Sequence, residues 1–435
     1  MNRSIHIRFI AVMLIMLTVV GCSFSSKQEG KTDNKPPVTE TKDSGKPTGT
    51  ADEEPINQGK TPVKPEQPPT DPVLEQLKGL SVEEKIGQLV IVGMEGTTVD
   101  RTSRKLLDKY QVGGFIFFKD NIQSTEQAVR LFNDLKKANA GNPLPLWLSV
   151  DEEGGRVTRL PGEFAKLPAS GTVGMKNDPG LAESIGNEIG KRLSGFGLNM
   201  VFAPVLDVNS NPDNPVIGDR SFGSSAERVS RLGTAAMKGI RETGVVPVVK
   251  HFPGHGDTSV DSHLGLPVVK HDMSRLNEVE LAPFRKAVAE GADVVMVAHL
   301  LMANIDPKTP ASYSGPVITG LLREKLGFEG VVITDDMTMG AVTQGGLEIG
   351  EAAVRSVLAG SNIILVGHEY ELEEAVLQSL TKAVHNGRIS PEVLDDRVLA
   401  ILRLKGKYRL SDKVVTQPDI ERMNREAEKL IRKFK

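Results

Sequence analysis

Residues Lys250 to Gly265 read KHFPGHGDTSVDSHLG and carry three of the chain's eight histidines, beside Lys250, Asp257 and Asp261. A solvated loop has no need of such a density of titratable groups, whereas a catalytic site does. The stretch follows the β-branched run VVPVV and is interrupted by Pro253, Gly254 and Gly256, so it reads as an irregular loop at the C-terminal end of a buried strand. Further along, Asp335 closes another apolar run, VVIT. A carboxylate in that position can act as a nucleophile or stabilise positive charge. His263 has Asp261 two residues before it. A carboxylate bonded to an imidazole fixes its tautomer and lets it serve as acid and then as base near neutral pH. Asp335 with an Asp261–His263 dyad would support two-step displacement at a sugar's anomeric carbon with retention, although most enzymes of that chemistry use two carboxylates.

Positioning these groups requires a scaffold with many strand ends on one face. Eight apolar, β-rich runs recur with amphipathic stretches between them: Ile86–Val92, Gly114–Phe118, Leu146–Val150, Met200–Pro204, Val245–Val249, Val294–Val297, Val331–Thr334 and Ile363–Val366. The first of them has a start compatible with helix. The intervening helical patterns include Thr125–Ala138, Ala226–Glu242, Met273–Glu290 and Glu348–Ala359, and Glu369–Asn386 and Pro391–Lys407 follow the last strand. This alternation predicts an α/β fold with a parallel sheet, and eight repeats predict a closed (β/α)8 TIM barrel over 73–410. An open doubly wound sheet is the alternative, but no GxGxxG turn follows an early strand. Ionisable residues gather at the ends of most predicted strands: Asp151-Glu152-Glu153, Asp207 with Asp219-Arg220, Lys250-His251, His299, Asp335-Asp336 and His368. A charged tail, 411–435, is expected to end in a helix.

The N-terminus reads differently. Arg3, His6 and Arg8 precede an apolar run, Phe9 to Val20, of signal-peptide length, and Val19-Val20-Gly21-Cys22 follows. This resembles the lipobox of bacterial lipoproteins, which implies cleavage after a 1–21 signal peptide and lipid attachment at Cys22, the only cysteine. The expected location is the extracytoplasmic face of the cell membrane, anchored by the lipid. Residues 22–72 are rich in Lys, Glu, Pro and Thr and poor in apolar side chains, the composition of an unfolded spacer. A net charge of -3 with 4% aromatic residues and no basic stripe argues against nucleic-acid binding.

KHFPGHGDTSVDSH, with DEEGGRVTR and VIGDRSF before it and VVITDDMTM after it, resembles the family 3 glycoside hydrolases, in particular the β-N-acetylglucosaminidases of cell-wall recycling. The likeness runs from about Leu77 to Lys407. It implies Asp335 as nucleophile, His263 as general acid/base and Asp261 as its partner. It implies Asp151, Arg159, Arg220, Lys250 and His251 as substrate ligands, and no metal or organic cofactor. The implied substrate is a peptidoglycan-derived amino sugar, and the chain is taken to be a monomer. A broader β-glycosidase and a phosphorylase using phosphate as acceptor are the alternatives. Specificity for a 2-acetamido group follows from the resemblance alone.

Other readings of the same residues stand beside these. Asp336 competes with Asp335 as nucleophile, or serves as an ion-pair partner or N-cap. His251, His255, Asp257 and His263 could form a metal set, which would make a metal-dependent hydrolase. A sugar-binding receptor lipoprotein would need no nucleophile. Glu152 and Glu153 are expected as salt-bridged wall residues, His299 as a pocket wall, His271 at the surface and Trp147 in the core.

Overall fold

The computed structural model describes residues 71–343 and 346–434. The expected signal peptide, Cys22 and nearly all of the spacer lie outside the described residues. Ten strands occur in chain order: β1 (Val90–Val92), β2 (Gly114–Phe117), β3 (Trp147–Val150), β4 (Met200–Val201), β5 (Val246–Phe252), β6 (Val268–Val269), β7 (Val294–Val297), β8 (Leu301–Met302), β9 (Val331–Thr334) and β10 (Ile364–Val366). Eight of them form one sheet in the order β10-β1-β2-β3-β4-β5-β7-β9, with every pairing parallel. A bridge between Ile333 and Ile363 joins the two ends of that order and closes the barrel. Every residue of these eight strands is buried, because the barrel interior covers one face and helices the other. This explains their uninterrupted apolar sequence. The remaining two, β6 and β8, pair outside the barrel.

Helices begin where the sequence supplies acceptors for their first free N–H groups. Ser124, Asp178, Ser225 and Ser390 each cap a helix, at Thr125–Ala138, Pro179–Phe196, Ala226–Arg241 and Pro391–Lys407. Capping also corrects the first predicted strand. Ser81 and Glu84 form a reciprocal capping box that commits Val82–Gln88 to a helix and leaves β1 only three residues. The predicted helix over Met273–Glu290 is two, Met273–Glu278 and Ala282–Ala289, and Pro283 stands in the first turn of the second. The fourth strand stops at Val201 rather than Pro204, a residue with no N–H for the ladder. The fifth runs on to Phe252, so Lys250 and His251 lie on the strand itself and not on the loop.

All described residues fall in one compact unit. The tail packs onto the barrel. Asp412 accepts hydrogen bonds from the Leu146 backbone (3.1 Å) and Asn139 (2.7 Å), and Ala427 of the last helix, Ile420–Ile431, is fully buried.

Candidate active site

A cavity of about 390 Å³ opens at the C-terminal ends of the barrel strands. Seven of the eight side chains singled out from sequence line it: Asp151, Arg159, Arg220, Lys250, His251, His263 and Asp335. Asp261 stands behind His263. Because the strands are parallel, all their C-terminal ends open on one side, and residues far apart in the chain meet there.

One wall is a charge network. Lys250 Nζ lies 2.6 Å from Asp151 Oδ1 and 2.8 Å from Glu153 Oε1. Glu153 also receives two hydrogen bonds from Arg220, both 2.8 Å, from Nε and Nη2. Arg159 Nη2 is 3.8 Å from Asp151. Burial alone would raise the Glu153 carboxyl, but Lys250 and Arg220 outweigh it and hold it far below the usual carboxylate range. Arg220 Nη2 faces His251 Nε2 at 3.4 Å, and a guanidinium can only donate. The imidazole proton therefore sits on Nδ1, directed at Asp207 Oδ2 2.6 Å away. Glu153 fits its expected place as a salt-bridged wall residue. Glu152 does not: it is buried and accepts from the Thr158 hydroxyl (2.9 Å) and the backbone N–H groups of Arg159 (2.9 Å) and Leu160 (3.4 Å). Burial raises its carboxyl.

The opposite pair, Asp335 and Asp336, is split by its hydrogen bonds. Asp336 Oδ1 accepts from Thr338 N (3.0 Å), Thr338 Oγ1 (2.9 Å) and Gly367 N (2.9 Å), which ties the end of β9 to the end of β10. Asp335 accepts only from the Asp336 backbone N–H, at 2.9 Å, among the described residues. Burial would push the Asp335 carboxyl up, but His251, His299 and Lys250 outweigh it and hold it down, so it is ionised at neutral pH. His299, expected as a pocket wall, is fully buried behind the cavity lining, between Ser312 Oγ (2.7 Å) and the Asp336 carbonyl (2.9 Å), and burial depresses its pKa. Trp147 is fully buried in the core.

Asp261 and His263 do form a pair, with Nδ1 to Oδ1 at 2.8 Å. The His263 side chain is 63% exposed. The loop glycines are set by close packing: a Cβ on Gly256 would lie 1.9 Å from the Val208 carbonyl, and one on Gly254 2.8 Å from Glu280 Cβ. The four donors considered as a metal set are committed to separate partners. His251 goes to Asp207, His255 to Thr258 and Ser262, His263 to Asp261, and Asp257 to Ser210 (2.7 Å) and His271 (2.6 Å). Among the described residues no three His, Cys, Asp or Glu side chains converge to hold a metal. His271 is thus a half-buried ion-pair partner rather than a free surface residue.

Sequence reading placed Asp207 and His368 at strand ends without giving them a task. Asp207 is the acceptor that orients His251, and His368 stacks on Phe118 at the cavity rim, ring centroids 4.2 Å apart. His368 follows the end of β10 directly and Asp207 lies on the segment that leads out of β4, the one signal that could have marked them.

An ionised strand-end carboxylate, an Asp–His pair and a wall of buried charges meet at one mouth of a (β/α)8 barrel, an arrangement suited to glycoside hydrolysis. Residues 81–404 match the glycosyl hydrolase family 3 N-terminal domain. A solved family 3 β-N-acetylglucosaminidase from Paenibacillus is 43% identical, with a TM-score of 0.78 over 81% of this chain and 68% of its own. β-Hexosaminidase LpqI of Mycobacterium tuberculosis is 32% identical over 83% of this chain and 92% of its length. β-Hexosaminidase A of Pseudoalteromonas piscicida is 35% identical over 72% of this chain, which spans only 56% of that longer protein. The chain belongs to glycoside hydrolase family 3.

Proposed function

We propose that the chain is a retaining exo-β-N-acetylglucosaminidase acting on terminal GlcNAc of peptidoglycan fragments. Asp335 attacks the anomeric carbon while His263 gives its proton to the departing oxygen, so a C1–O(Asp335) bond forms as the glycosidic bond breaks. His263 then takes a proton from water, which attacks C1 and releases Asp335. Asp151, Lys250, His251, Arg159 and Arg220 hold the sugar hydroxyls and acetamido oxygen. The observation that carries this reading is the contrast between the two acids at the end of β9, both of which line the cavity: Asp336 Oδ1 accepts three hydrogen bonds that fix it to Thr338 and Gly367, while Asp335 accepts only from the Asp336 N–H among the described residues and is held ionised. The acetamido preference is supported by the named activities of the relatives.

Turnover of aryl β-N-acetylglucosaminide and aryl β-glucoside by residues 71–435, with and without phosphate and a chelator, tests it. Cleavage of the first substrate only, indifferent to both additions, is the expected result, with Asp335→Asn lowering kcat by at least about 10³-fold. A rate that rises with phosphate would make it a phosphorylase. Loss of activity in chelator would reinstate a metal. No turnover of either would favour the receptor. We also propose lipid anchoring at Cys22; among the described residues no helix is long and apolar enough to cross a membrane. In the same assay on whole cells, Cys22→Ser is expected to move activity from the membrane fraction to the medium.

A further inference from the structure

His255 is one residue of the motif that the reaction above does not use. It is 1% exposed and yet fully hydrogen-bonded. Its Nδ1 meets Thr258 Oγ1 at 2.7 Å and its Nε2 meets Ser262 Oγ at 2.9 Å. Its backbone N–H donates to Asp207 Oδ1 at 2.7 Å, and its carbonyl accepts from Asn214 Nδ2 at 2.8 Å. Burial lowers its pKa, and a neutral ring with one donor and one acceptor matches two hydroxyls, each of which can donate or accept.

Ser262 lies between the two members of the acid/base dyad. Its side chain points inward to His255 and is buried, while Asp261 and His263 on either side are 30% and 63% exposed. Among the described residues, the far side of the turn is held by backbone bonds: Ala341 N to the Ser262 carbonyl (3.0 Å) and Gly340 N to the His263 carbonyl (3.2 Å). On the barrel side the only side-chain tether of the dyad segment 261–263, among the described residues, is the His255–Ser262 bond. Asp207, which orients the substrate-binding His251, holds the other end of His255. One buried carboxylate thus sets both the sugar-binding wall and, through His255 and Ser262, the placement of the acid.

We infer that His255 is a positioning residue for the acid/base dyad, acting through Ser262. The inference rests on the assignment of Asp335 and His263 given above. A proton donor out of place by a fraction of an ångström loses much of its contribution, which for general acid catalysis is about 10²–10⁴-fold. That loss depends on the substrate. An alkyl or sugar leaving group needs the proton as the C1–O bond breaks; a dinitrophenolate leaves without it. kcat/KM reports bond cleavage for both.

The test compares wild type, His255→Ala, His255→Gln and Ser262→Ala on N,N′-diacetylchitobiose and on 2,4-dinitrophenyl β-N-acetylglucosaminide. For His255→Ala and Ser262→Ala, kcat/KM is expected to fall about 10- to 100-fold on the disaccharide and less than about threefold on the activated glycoside. His255→Gln, which keeps a donor and an acceptor, is expected to recover part of the loss. Equal losses on both substrates would show a merely structural role and overturn the inference, as would no loss on either. Ser262→Ala is on a surface turn and keeps the test open if His255→Ala does not fold. Absence of turnover by wild type would instead sink the assignment beneath it.

Discussion

The buried charge network at the barrel mouth and the loop that carries the Asp261–His263 pair solve opposite problems with the same residue types. Lys250 and Glu153 have side chains 3% exposed and are locked to each other, to Asp151 just past the end of β3 and to Arg220 of the turn Gly218–Arg220. The Asp261–His263 pair has similar contact distances but sits largely in water on an irregular turn. A buried charge network is rigid because breaking it strands a charge in a low-dielectric interior. An exposed pair stabilises the fold by little, because water and salt screen it. The buried network is therefore built into the fold's stability, and the exposed pair is nearly independent of it. A group that must give and take protons gains from that independence, since changing its charge leaves the barrel intact.

The largest effect expected from this contrast is at Glu153. Glu153→Gln keeps the shape but leaves Lys250 and Arg220 without their shared anion, and a stability loss of about 3–5 kcal/mol in denaturant titration is expected. A loss below about 1 kcal/mol would mean the wall is not the rigid half. The sign with pH follows. The folded-state pKa of Glu153 is depressed, so its contribution is complete above the unfolded value near 4.5 and is lost as pH falls towards the folded one.

A smaller effect sharpens the point with a buried acid that has no cation. Glu373, on the helix Tyr370–His385 just beyond the cavity rim, is pushed up to about 8 by burial and by Asp336, Glu95 and Glu371. A raised carboxyl contributes fully below its unfolded value and loses that contribution as pH rises through 8. Glu373→Gln is expected to gain stability relative to wild type by roughly 4 kcal/mol between pH 5 and pH 9. A gain that does not change with pH would show that the carboxyl is not a buried acid.

The smallest stability effect is expected at the dyad. Asp261→Asn should alter unfolding free energy by less than about 0.5 kcal/mol while lowering kcat/KM on unactivated substrates by about 10²-fold. A mutant that melts early would erase the distinction between the two regions.

The barrel was legible because eight parallel strands buried on both faces read as eight unbroken apolar runs. Its boundaries were less so. Ile86 leads without a break in the pattern towards the apolar run Leu89–Val92, and the Ser81–Glu84 capping box, a matter of two hydrogen bonds, commits Ile86–Gln88 to helix. The ring of ionisable strand ends was visible, but not who pairs with whom. Asp207 bonding His251 and Glu153 joining Lys250 to Arg220 depend on which strands are neighbours and how far each side chain reaches across the mouth. His271 looked like a surface residue because its partner, Asp257, is brought to it only by the folding-back of the loop.

The closure of the barrel bears on when this chain can fold. Val90 of the first strand pairs with Ile364 of the last, and the Asp412 carboxylate holds the backbone at the start of β3. Until synthesis has passed these residues, β1 has an unpaired edge and the barrel has no seam. A topology whose first strand waits for its last assembles its active site only once nearly the whole domain has been made.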